Sequence, residues 1–256
     1  MTIQSVNRAL DILFLYTNTE PRLGITEISK MLGLTKPTVH GLVQTLTKRG
    51  FLHQDEETRK YSLGLKIHEL GSILSATLKI NQVGGGPAYR LANSTNHMVR
   101  IAIWDQNEIL VTFNGIPGYQ AAQYQQLGPR VPAYCSASGK AILSKLPPKK
   151  ISKYLRETTL TPFTTKTITK TARLMKELEK AGKKGYAEDH EEYLPGLFCI
   201  SAAILDRSGS PYAAISVSGG IKFFSNPQLD NIGQKMIETA AEISRSMGYF
   251  QQAAPL

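Results

Sequence analysis

The chain has 256 residues, 41 % of them apolar and 20 % charged, with a formal charge of +10. At roughly 100–200 residues per domain, this length fits two modest domains or one large one, each with apolar residues enough for a core. The composition excludes a disordered chain, and no window offers the ~18 uncharged apolar residues of a membrane helix.

From Ser5, placed as an N-cap, Val6, Ala9, Leu10, Leu13 and Phe14 recur at helical spacing and predict an amphipathic first helix. Ile25 to Leu32 repeats the pattern with Ile28, Met31 and Leu32 inward, and Gly33 supplies a helix stop. Thr35 caps the next helix, Pro37 fits its first turn, and Val39, Leu42, Val43 and Leu46 form a stripe ending before Gly50. Phe51 to His53 and Lys60 to Leu63 flank a polar stretch as a small hairpin does. Leu65 to Ile80 reads as a linker helix, and Gly84-Gly85-Gly86-Pro87 reads as an interruption and hinge candidate.

Beyond the glycines, Met98–Trp104, Ile109–Phe113, Cys199–Leu205 and Tyr212–Val217 predict strands. Turn signals follow them at Asp105-Gln106-Asn107, Asn114-Gly115 and Arg207-Ser208-Gly209-Ser210. Helices are predicted at Ala137–Leu146, Lys149–Arg156, Thr169–Lys183 and Gln228–Met247. The fold class expected is α+β, divided as residues 1–64, a linker over 65–80, and a mixed α/β domain with an antiparallel sheet over 81–256.

A helix, a helix pair and a hairpin within 64 residues make a winged helix-turn-helix, whose second helix enters the DNA major groove. With the apolar stripe inward, Lys36, Thr38, His40, Gly41 and Gln44 face outward. These are donors and small groups suited to phosphates and base edges, with Gln44 matched to adenine. Lys48, Arg49, Arg59 and Lys60 are placed for phosphate contact. Charge does not carry this reading. Residues 1–64 hold 8 Lys+Arg against 6 Asp+Glu, whereas residues 145–184 hold 12 against 3, and that basic segment reads as a solvated face or a contact to flanking DNA or an acidic subunit surface. A small helical bundle that binds protein partners is the plainer alternative for the first 64 residues.

Along almost its whole length the chain resembles the IclR family of bacterial transcriptional regulators. The resembling segments are QSVNRALDIL, ITEISKMLGLTKPTVHGLVQTL, RGFLHQDEETRKYSLG, SASGKAIL and GYAEDHEEYLPGLFCISAAILDRSGSPYAAISVSGG. The resemblance implies a winged-helix DNA-binding domain, a dimerising linker helix and an effector domain related to GAF and PAS folds. It further implies double-stranded operator DNA, a small organic acid or aromatic effector, and a homodimer or dimer of dimers as partners, with no cofactor. It maps an effector pocket onto Ala137, Ser138, Asp189, Leu197, Cys199, Ser216 and Ser218. The chemistry suits the assignment: Ser216 and Ser218 share one strand face, Cys199 leads the adjacent strand, and Asp189 suits a ligand hydroxyl or amine or a protein donor. Amide groups at the start of the SASGKAIL helix favour a carboxylate. The chain departs from the family at Gly41, where a large basic residue is usual and where Gly costs ~1 kcal/mol relative to Ala.

Plainer readings stand beside these: a polar solvent face for Ser216 and Ser218, an inert core thiol for Cys199, and a capped, solvated loop for Asp189-His190-Glu191-Glu192 rather than a metal cluster. An enzyme with an accessory winged helix and a Cys199/His190/Asp189 site is the alternative function. Two cysteines, Cys135 and Cys199, make no disulfide framework and fit a reducing cytoplasm, and the first residues lack a basic, cleavable secretory leader.

Overall fold

The computed structural model describes residues 2–118, 130–224 and 226–250, and the chain divides into two compact units, Met1–Ala76 and Thr77–Leu256. In the first unit α1 (Gln4–Phe14), α2 (Ile25–Leu32) and α3 (Lys36–Lys48) are followed by a hairpin of β1 (Leu52–Gln54) and β2 (Tyr61–Leu63), and then by α4 (Leu65–Thr77). The hairpin pairs Leu52 with Leu63, and Leu23 bridges Tyr61. Its core holds Ile12, Leu23, Ile28, Val39, Val43, Leu46, Leu52 and Tyr61. This is a winged helix-turn-helix, with Gly33 closing α2 in the left-handed region (φ 65°) and the Thr35 side chain capping α3 at Thr38 N.

The inward placement of Met31 and the Ser5 cap are corrected. On α1 the buried residue is Ile12, while Val6, Leu10 and Phe14 are exposed; Met31 on α2 is exposed too. Ile3 takes the N-cap position of α1, so Ser5 lies inside the helix. Periodicity identified an apolar stripe, of which Ala9 and Leu13 pack on this unit's core while Val6, Leu10 and Phe14 do not.

The second unit begins with α5 (Lys79–Thr95), and the break between α4 and α5 falls at Leu78. The hinge expected at the triple glycine is therefore corrected: Gly84 to Pro87 lie inside α5. Close packing explains it. A Cβ on Gly84 would come within 2.5 Å of Ile101 Cδ1, so the helix lies so close to the sheet that a larger residue here would force the Ile101 side chain to shift.

The sheet is antiparallel throughout, in the order β5 (Arg130–Pro132), β4 (Glu108–Gly115), β3 (Met98–Asp105), β8 (Pro211–Gly220), β7 (Leu197–Leu205), β6 (Ala187–His190). Gln106 and Asn107, both at positive φ, turn β3 into β4 as a two-residue hairpin loop requires. Asn114 and Gly115, read from sequence as a turn, are instead paired in β4 with Arg100 and Val99.

One sheet face packs on α5 and α9 (Asn226–Ser246), through Val99, Ile101, Ile200, Ile204, Ile215 and Val217 against Ile80, Leu91, Met236 and Ile243. The opposite face carries α6 (Ala137–Leu143), α7 (Pro148–Glu157) and α8 (Thr171–Lys184). There Ala102, Val111 and Ala214 meet Ile142, Leu143, Tyr154 and Leu174. Among the described residues no helix is long and apolar enough to cross a membrane.

Candidate functional site

The outward face of α3 presents Lys36, His40, Gly41, Gln44 and Lys48 to solvent, with Arg49 exposed at the helix end. Two residues of the expected DNA surface carry internal bonds. Thr38 Oγ1 lies 2.9 Å from Thr35 Oγ1 within the cap, and Lys60 Nζ sits 2.9 Å from Glu27 Oε1 across to α2. Glu27 in turn accepts from Gly24 N at 2.6 Å, and these two donors hold its carboxyl below the usual range. Arg59 stands exposed at the hairpin tip at φ 56°.

The second unit places its expected residues on one sheet face through strand alternation and register. Asp189, Cys199, Ser218 and Met98 form one cross-strand row; Ala187, Ser201, Ser216, Arg100 and Asn114 form the next. A third row, with Ala203, Ala214 and Ala102, continues into the apolar packing beneath α6. The face is thus polar at one end and apolar at the other. Ala137 and Ser138 at the start of α6 are buried over the polar end, and Ser138 Oγ lies 3.2 Å from Ser201 Oγ, which itself donates to the Ile215 carbonyl at 2.8 Å. Cys199 Sγ donates to Ser218 Oγ at 3.3 Å. Among the described residues the Ser216 hydroxyl has no hydrogen-bond partner, although the residue is only 4 % exposed. Leu197 opens β7 paired with Gly220, half-buried, in the row next to Cys199 and Ser218 on the same face.

Asp189-His190-Glu191-Glu192 is not a solvated loop, which corrects the sequence reading. Asp189 and His190 belong to edge strand β6 and point to opposite faces, so Asp189 is buried while His190 packs edge-on against Phe198 and bonds Glu188. Glu192 is buried in an ion pair with Lys140 of α6, and its backbone N–H donates to Asp189 Oδ1 at 2.7 Å. Thr167 Oγ1 donates to the Glu192 carbonyl at 2.6 Å and fixes that turn. Among the described residues no group of three His, Cys, Asp or Glu side chains is placed to hold a metal. A cleft beside the pair, bounded by Lys140, Glu177, Tyr186 and Glu188 among others, has about 10 Å³ of room, space for one water.

Electrostatics follow from burial. Desolvation pushes the Asp189 carboxyl up to about 7, despite the opposing Glu192 N–H and Lys140 charge. Burial, then the nearby Asp189 charge, pushes the Cys199 thiol up to about 12. A thiol so poised is a poor nucleophile, and His190 faces away from it, so no Cys/His pair forms. Cys135 is raised to about 12 by burial as well.

Sequence reasoning passed over three participants: Lys140, Arg100 and Asn114. Arg100 Nε and both amide atoms of Asn114 are buried without a hydrogen-bond partner, as is Glu192 Oε2. The signal for Arg100 was present, since Val99, Ile101 and Ile103 alternate inward and leave Arg100 on the face of Ser216.

A family model described as the bacterial transcriptional regulator IclR C-terminal domain matches residues 75–245, and one described as the IclR helix-turn-helix domain matches residues 5–56. The HTH-type transcriptional regulator XynR of Escherichia coli (strain K12) is 33 % identical over 248 residues, covering 96 % of this chain and 98 % of that protein. The transcriptional repressor IclR of the same strain is 27 % identical, over 96 % and 90 %. Among solved structures, the Thermotoga maritima IclR superposes with a TM-score of 0.77 at 28 % identity, covering 97 % of this chain and all of that one. An IclR homologue from Microbacterium hydrocarbonoxydans complexed with 4-hydroxybenzoate shares the fold at a TM-score of 0.79 and 20 % identity, over 95 % and 99 %.

Proposed function

The chain belongs to the IclR family of bacterial transcriptional regulators, and from that premise we propose that a small organic acid or aromatic effector bound at the polar end of the sheet face governs its hold on operator DNA. The observation that carries this is the pair of polar rows closed over by α6: Asp189, Cys199, Ser218, Ser201 and Ser216 are all buried on a face that is otherwise apolar. Buried polar groups are retained when they have partners, and on this face Arg100 Nε and both amide atoms of Asn114 have none among the described residues. Ala137, Ser138 and Leu197 complete the proposed lining. The 4-hydroxybenzoate held by the Microbacterium hydrocarbonoxydans homologue is the kind of ligand such a face fits.

On DNA, Lys36, Thr38, His40 and Gln44 of α3 are proposed to reach the major groove, with Lys48, Arg49, Arg59 and Lys60 on phosphates. We assign the working form to a homo-oligomer, a dimer or a dimer of dimers. Ile3, Val6, Leu10 and Phe14 form an exposed apolar stripe on α1, Leu65 and Leu70 are exposed on α4, and α4 buries no residue within its own unit. Its place of action is the bacterial cytoplasm, where the operator is.

The test uses purified full-length protein and duplexes from its own upstream intergenic region at physiological salt. Preference over random duplex is expected. Lys48→Ala with Arg49→Ala should flatten the slope of log affinity on log salt by ~1.8, about 0.9 for each phosphate no longer neutralised. Ser218→Ala should weaken the effector's influence on binding roughly tenfold while the unliganded protein still binds operator. No preference for the intergenic duplex sinks the reading, and equal loss of both properties makes Ser218 a folding residue.

A further inference from the structure

Ser201, Ser216, Arg100 and Asn114 stand side by side across β7, β8, β3 and β4. Three polar atoms here, Arg100 Nε and the Oδ1 and Nδ2 of Asn114, are buried without a partner, and no carboxylate of the described residues pairs with Arg100. Arg100 is half-buried with its Nε out of water and no protein anion beside it, and a cation so placed gains when an anionic ligand supplies the missing partner. Its planar fork accepts a carboxylate through two parallel bonds, which a lysine could not reproduce. The neighbouring groups agree. Asn114 offers a donor to a carboxylate oxygen and an acceptor to a ligand hydroxyl, and the Ser216 hydroxyl, directly across from Arg100, is unengaged among the described residues. The negative side chains of this face, Asp189 and Glu192, are occupied with each other's segment and with Lys140 rather than with Arg100.

We propose that Arg100 and Asn114 form the anion-reading floor of the effector site, so that the effector is a small carboxylate whose charged end lies on β3 and β4, opposite the Asp189 end of the rows. This rests on the effector reading above and adds to it the class of ligand and the residues that select it. Neutral analogues of the same shape are thereby discriminated against, because they would leave Arg100 without a counter-charge and its buried Nε unpaired.

The experiment measures thermal shifts and calorimetric affinity of the full-length protein with acetate, lactate, benzoate and 4-hydroxybenzoate, each beside its primary amide. At least one acid should raise the melting temperature while its amide does not. Arg100→Met should weaken that acid about 30-fold or more and abolish the difference from the amide, with Arg100→Lys keeping part of it. Equal stabilisation by acid and amide, or an acid preference that survives in Arg100→Met, overturns the proposal. If none of the eight compounds binds, the ligand-free variant decides. A melting temperature of Arg100→Met at or above the parent's supports an unpaired charge, and a clear fall overturns it by making Arg100 a structural residue. Operator binding measured alongside separates the two readings. An acid held through Arg100 with no influence on DNA defeats the regulatory reading alone, and acid and amide releasing DNA equally defeats the anion floor alone.

Discussion

On α3, Lys36, His40, Gln44 and Lys48 stand in water, whereas on the sheet Ser201, Ser216 and Ser218 are no more than 4 % exposed. The first surface keeps its donors hydrated, so each contact to a phosphate is worth little and is screened by salt; affinity there must come from number. The second takes a few groups out of water, so each one left unpaired is costly and each one paired is selective. On the proposed assignment, the protein recognises a polyanion by accumulation and a small molecule by withholding solvent.

The buried side should respond most strongly to single changes. Lys140→Met leaves Glu192 charged and unpaired in a site where both side chains are at most 7 % exposed, and should cost about 3–5 kcal/mol, a fall in melting temperature on the order of 10 °C. Lys140→Met with Glu192→Gln should recover most of that loss; a single variant as stable as the parent would mean the pair is solvated in solution.

Next is the pH dependence carried by Asp189. Its native pKa of about 7 lies above the ordinary value of 3.8, so the folded protein holds this proton more tightly than the unfolded chain does. The resulting stability is fully present below about pH 4 and is lost as pH rises through about 7. Asp189→Asn keeps the Oδ1 acceptor for Glu192 N but cannot ionise, so melting curves of the variant should match the parent near pH 3.5 and lie progressively further above it through pH 5 to pH 8. A parent curve that does not decline between those pH values contradicts the burial of this carboxyl.

The smallest effect belongs to the exposed side. A Cβ at Gly41 meets nothing within 4 Å, so Gly41→Ala should stabilise α3 by about 0.5–1 kcal/mol and slow hydrogen exchange of its amides about two- to fivefold. A loss of protection instead would show that α3 depends on glycine for packing.

Much of the first unit was legible because helix spacing, Gly33 and the Thr35 cap are local signals, and α2, α3 and the hairpin fall where they were read. The inward face of α1 was not, since an apolar stripe announces a partner without saying whether that partner is the same unit. The triple glycine misled for a related reason: glycine lowers helix propensity, but it also permits close approach, and contact with Ile101 decides between the two. In the second unit the four long strands were readable from alternation, whereas β5 and β6, of three and four residues, are too short to alternate visibly. Asn114 was hidden by the turn-like Asn-Gly pair. Lys140 was hidden because its partner Glu192 lies 52 residues on, and pairing at that range is set by tertiary packing.

One glycine in the SASGK segment carries a consequence for genetics. A Cβ on Gly139 would overlap the backbone of Ala133, with no flexible side chain available to yield. In a screen for alleles that have lost regulation, any substitution at this codon would therefore be recovered, although the lesion would be in chain folding rather than in either recognition surface. Alleles at Arg100 or Ser216, by contrast, should yield abundant, soluble protein, and an immunoblot would sort the two classes before any binding assay is run.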